Sequence, residues 1–118
     1  MHTNLSSEAL SIIKKMQQSE ITESVIYEKI AAFAKGEENK KTLRRLSQEE
    51  KSHYEIWKRY SGEEMKPQKG KIFWYTLMAR LLGFTFAVKL MENGEGEAQS
   101  EYALLAKEVE ESILIRQQ

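Results

Sequence analysis

An all-α fold follows from three observations on these 118 residues. Three separate segments carry apolar residues at alternating steps of three and four, the spacing that lines one face of a helix. The single proline, Pro67, falls between the second and third of these segments. Charged residues make up 31% of the chain, enough to coat the outer faces of long amphipathic helices. The expected architecture is one domain, residues 1–118. It is an antiparallel helical bundle with a long crossover, three main helices and a short fourth-helix stub.

The first helix is expected from residue 6 or 7 to residue 35. Leu5-Ser6-Ser7-Glu8 supplies an imperfect capping box at its start, and Gly36 stands where a C-terminal glycine cap would stop it. A second helix is expected over 38–60, ended by Ser61-Gly62, and residues 63–70 with Pro67 and Gly70 form a linker long enough to cross one end of a bundle. The third helical region should run over 71–107 with a break near Gly83. Gly94 and Gly96 flank Glu95, and each costs a helix interior about 1 kcal/mol relative to Ala. A close approach of backbone or ligand at that point and a plain helix irregularity explain the pair equally well. Residues 109–118, with Ile113, Leu114 and Ile115, read as the start of a fourth helix.

Each apolar stripe is interrupted by carboxylates. On the second helix Leu43, Leu46, Glu50, His53, Trp57 and Tyr60 share one face, which places the E-x-x-H pair Glu50 and His53 in the core. On the first helix Ile13, Met16, Glu20, Tyr27 and Ala34 share a face. On the third, Phe84, Val88, Met91, Glu95, Ala98, Tyr102 and Leu105 do the same. Glu20 and Glu95 each have a tyrosine seven residues later, so the two stretches read as one unit repeated. Burying an ionised carboxylate without compensation costs several kcal/mol, and a metal ion is the obvious compensator. Glu and His three residues apart point the same way from successive turns, as in di-metal helical bundles. Tyr27 and Tyr102 could hydrogen-bond ligand carboxylates or donate electrons, or serve as packing residues with a satisfied hydroxyl. Glu92 is the least certain auxiliary ligand. Glu23, also one turn from a candidate ligand, reads as surface, as does His2 near the N-terminus.

The pattern resembles the ferritin-like superfamily, specifically the rubrerythrin-related di-iron domains, including those fused to vacuolar-iron-transporter-type membrane domains. The likeness covers residues 17–109: Gln17 to Ala31, the Leu46 to Trp57 block with its E-x-x-H, and Arg80 to Leu105 with Gly83, Met91-Glu92 and Tyr102. Such domains take one Glu from each of two helices and an E-x-x-H from each of the other two. Carried over by position, the resemblance makes Glu20 and Glu95 the single-carboxylate ligands and Glu50 with His53 the first E-x-x-H. The second E-x-x-H is missing: the offset from Glu20 to Glu50, applied to Glu95, passes Gln118, and no His follows His53. A truncated fragment, ligands from a second chain, and a partial or absent site all fit that gap. The resemblance implies a ferroxidase or a peroxide-reducing oxidoreductase loaded with iron, or with manganese. A non-catalytic iron-binding or assembly module is the alternative.

Composition excludes several other classes. Formal net charge is zero and the pI about 6.8, so no overall basic field attracts nucleic acid or anionic lipid. The absence of cysteine rules out disulfides, thiolate-bound zinc and a rubredoxin-type iron centre, so a redox cycle would need an external electron donor. The polar first eight residues do not resemble a secretory signal, and a cytoplasmic location is the default expectation. Residues 72–91 are nearly long and apolar enough to span a bilayer, but a central Arg80 argues for a buried core segment instead. Docking against a partner or a membrane surface is the runner-up for that segment. Three amphipathic helices and a stub leave an apolar groove too costly to leave wet, so a homodimer or domain-swapped oligomer is expected.

Overall fold

The computed structural model describes residues 6–99, with side chains to Asn93. Four helices follow one another: α1 (Ser7–Phe33), α2 (Glu37–Ser61), α3 (Lys69–Leu82) and α4 (Phe84–Gln99). Among the described residues there is no strand, so the all-α class stands. The expected stub at 109–118 lies outside the described residues.

α1 starts where the Ser6 side chain accepts a hydrogen bond from the Ala9 N–H at 3.1 Å. It ends earlier than Gly36 suggested, because the Ala34 N–H closes the last turn on the Ile30 carbonyl and Ala34 itself turns extended. Gly36 instead stands at the N-cap of α2. The other end of α2 is closed by Gly62, which takes the left-handed conformation at φ +71° that glycine adopts without a Cβ clash. The expected break in the third region falls at Gly83, where φ is +94° and separates α3 from α4. Gly94 and Gly96 do not interrupt α4.

α1 and α2 form an antiparallel hairpin with two apolar clusters along it. The larger joins Ile26, Ile30, Ala31 and Leu43 to Ile72 and Ala79 of α3 and to Ala87 and Met91 of α4. The smaller gathers Ala9, Ile13 and Trp57 at the other end. Between them lies a polar layer: Gln17, Thr22, Glu23 and Ser24 of α1 and Ser47 of α2 are all buried. Two serines fix the helices there. Ser24 Oγ donates to the Ser47 carbonyl and Ser47 Oγ donates to the Ser24 carbonyl, both at 2.8 Å. Only a small side chain lets two helix backbones come close enough for this reciprocal pair.

The linker from Gly62 to Gln68 is laced onto α1. Gln17, fully buried, donates through Nε2 to the Glu63 carbonyl at 2.6 Å and accepts from Ser61 Oγ at 2.7 Å. Gln18 donates to the Lys66 carbonyl, and Thr22 Oγ1 accepts from the Gln68 N–H at 3.0 Å. On the α2 side, the Tyr54 hydroxyl accepts from the Met65 N–H at 3.1 Å. These bonds set where α3 begins, and the Arg80 guanidinium, 4.3 Å over the Phe33 ring, holds its far end to α1.

Residues 72–91 are only half of what the sequence suggested. Ile72, Ala79, Ala87 and Met91 are buried, but Phe73, Trp74, Leu81, Leu82 and Phe86 are exposed. Among the described residues no helix is long and apolar enough to cross a membrane.

The serine pair yields a test. Ser47→Ala removes one buried hydrogen bond and should cost about 1 kcal/mol, whereas Ser47→Leu wedges the backbones apart and should cost about 1–3 kcal/mol more. Urea unfolding followed by circular dichroism measures both, and equal small losses would mean the helices do not depend on this contact.

Candidate metal centre

Three of the residues expected as ligands, Glu20, Glu50 and His53, meet beside this polar layer. Glu20 of α1 and Glu50 of α2 flank the serine pair, Glu20 four residues before Ser24 and Glu50 three after Ser47. The antiparallel register therefore brings them to the same level of the hairpin. His53, one turn beyond Glu50, completes the group. Its Nδ1 lies 3.3 Å from Glu50 Oε1 and 3.7 Å from Glu20 Oε1. Both carboxylates are largely shielded, with 16% and 20% of their side-chain surfaces exposed, while the imidazole is 52% exposed.

His53 is thus not the core residue that the stripe implied. The buried line of α2 passes through Leu43, Ser47, Tyr54 and Trp57. Ser47 is drawn inward by Ser24, and Tyr54 by its hydroxyl contacts with the Met65 backbone at 3.1 and 3.4 Å. These two anchors set the rotation of α2, so Leu46 is only half-buried and His53 lies at the rim, facing the carboxylates from the edge of the layer.

Glu23, read from the sequence as a surface residue, is buried and accepts a hydrogen bond from Ser19 Oγ at 2.9 Å. Its signal was present. Ile13, Met16, Glu20, Glu23, Tyr27, Ile30 and Ala34 step by three and four without a gap, and Glu23 sits on that line. α1 therefore sends two carboxylates of successive turns into the shielded layer.

Tyr27 is buried in the larger apolar cluster, one heptad after Glu20. Glu92 is exposed on α4, beside the buried Met91. Glu95 falls within α4, four residues after Met91, but its side chain lies outside the described residues, as does Tyr102. Among the described residues no group of three or more His, Asp or Glu side chains is already arranged to hold a metal ion.

Carboxylate oxygens and one imidazole nitrogen are a donor set that suits iron or manganese in the +2 or +3 state more than soft cations. Shielding costs the carboxylates hydration, which their contacts with His53 and neighbouring groups have to offset. Glu20→Met should accordingly stabilise the chelator-treated protein by on the order of 1 kcal/mol, raising Tm by about 4 °C. Calorimetry in excess chelator measures this, and a clear loss of stability would assign Glu20 a structural role instead. Compared with known proteins, the chain matches no family model, no curated protein and no solved structure.

Proposed function

We propose that this chain is an iron-binding protein of ferritin-like, rubrerythrin-related type, in which Glu20, Glu50 and His53 form one half of a di-iron site. The supporting observation is their convergence from two helices on a shielded polar layer between two apolar clusters, with one imidazole nitrogen within 4 Å of both carboxylates. A divalent cation seated among these atoms would take the place of the His53–carboxylate contacts and offset the desolvation of Glu20 and Glu50. Glu95 and Glu92 are the further carboxylates assigned to it. These 118 residues hold no second E-x-x-H, so the proposed site is either partial or completed by a second chain.

When bound, a pair of irons supplies the electrons for reducing oxygen or peroxide, in a ferroxidase or peroxide-scavenging reaction. This chain's own part is to hold the metal and limit water. Glu20 and Glu50 bring the negative charge, His53 stands at the open rim where a small oxidant would enter, and Tyr27 lies in the apolar wall beyond. With no cysteine in the chain, electrons for turnover come from an external donor. Manganese fits the same donors.

A second reading, a non-catalytic iron-binding or assembly module, is favoured by the missing second E-x-x-H, since no His follows His53. Anaerobic loading with Fe(II), followed by native mass spectrometry, separates the two. Two irons per chain in a dimer, with peroxide turnover lost in the Glu50→Ala, His53→Ala double variant, is the expected result. Iron retained without turnover would establish the binding module, and no retained iron in a folded oligomer would end both readings. Metal that binds only the folded state should also raise stability, by roughly 2.7 kcal/mol at a hundredfold excess over Kd. The double variant should lose that gain.

A further inference from the structure

The zero net charge of the chain conceals a strong segregation. From Met65 to Met91 there are five cations, Lys66, Lys69, Lys71, Arg80 and Lys89, and not one carboxylate. Among the described residues, the same stretch holds most of the large apolar side chains that face solvent. Phe73 is 69% exposed, Leu81 66% and Trp74 51%.

At 100° per residue, Ile72 and Ala79 mark the side of α3 turned to the bundle, where both are buried. Phe73, Trp74, Leu77 and Leu81 fall on the opposite side. Lys71 falls at one margin of that apolar sector, and Lys69 with Arg80 at the other. α3 is therefore amphipathic twice over, with one apolar side packed on α1 and a second apolar side, edged by cations, facing out. Leu82 and Phe86 carry the exposed apolar surface past Gly83 onto α4.

We propose that this outer face of α3 docks in the plane of an anionic lipid surface. Tryptophan, phenylalanine and leucine enter the headgroup and upper acyl region, and the flanking lysines meet lipid phosphates. At 14 residues the helix lies on the bilayer and does not span it. Charge decides between this occupant and a second copy of the chain. A two-fold pairing of the face sets Lys69 and Lys71 against the same lysines when the helices run parallel, and against Arg80 when they run antiparallel. Either arrangement repels, whereas an anionic surface attracts every cation of the stretch. The proposal stands independently of the metal reading.

Vesicle co-sedimentation of the full chain in the absence of metal tests it, comparing phosphatidylcholine vesicles with ones containing phosphatidylglycerol. Trp74 supplies a second readout, since the other tryptophan, Trp57, is buried in the core. Brominated acyl chains should quench the Trp74 emission and leave that of Trp57. Binding to anionic vesicles, absent from neutral ones and weakened by salt, is expected. The variant Lys69→Glu, Lys71→Glu should lower it about tenfold or more, and Phe73→Ser, Leu81→Ser should abolish the quenching while circular dichroism stays unchanged. Three results would overturn the proposal: no binding to anionic vesicles at low salt, equal binding to neutral ones, or a lipid-free protein in which Trp74 is already shielded from a soluble quencher. The last would mean that a second copy, or the chain's own residues 100–118, covers the face.

Discussion

The reciprocal hydrogen bonds between Ser24 and Ser47 are the constraint on which the rest of this molecule depends. Helices are ordinarily kept apart by their side chains, and their rotation about one another is set by interlocking apolar groups. Here two hydroxyls each reach the opposite main chain, which fixes distance, register and rotation together. From that contact follows the level at which Glu20 meets Glu50, and together with the Tyr54 hydroxyl on the Met65 backbone it sets the rim position of His53. An apolar pair at these positions would lose both bonds and leave the hairpin more freedom to slide.

That freedom would matter because the layer around the serines is polar by construction. Five buried polar residues and two largely shielded carboxylates interrupt what could have been one continuous apolar core. Uncharged members of the layer are satisfied internally: Gln17 by the linker, Thr22 by Gln18 and Gln68, the serines by each other. The carboxylates face an imidazole that is half open to water. The layer thus combines a hydrogen-bonded frame with shielded negative charge at its centre.

Much of this was legible in the residues. Alternating spacing placed the helices, Gly83 marked the break between α3 and α4, and the polar insertions Glu20 and Glu50 marked the shielded layer. What spacing alone could not supply was helix rotation. Leu46 and His53 occupy stripe positions as good as those of Ser47 and Tyr54, and only the tertiary hydrogen bonds of the latter pair decide which line turns inward. Glu23 shows the opposite failure, since its position was on the stripe and its charge argued it outward. The 72–91 segment misled for a third reason: apolar content says that a face seeks cover, and it does not say that this chain provides it.

The lacing of the linker carries a practical consequence. Gln17, Gln18 and Thr22 bracket Glu20 within one and a half turns of α1, so the carboxylate and the seat of the chain's crossover are carried on a single short piece of helix. Protein engineers would find little slack there. A substitution chosen to retune the carboxylate environment also loosens the anchorage of α3, and one chosen to tighten that anchorage shifts the carboxylate. Useful variation is better sought from α2, where Glu50 and His53 can be changed without touching the residues that hold the crossover in place.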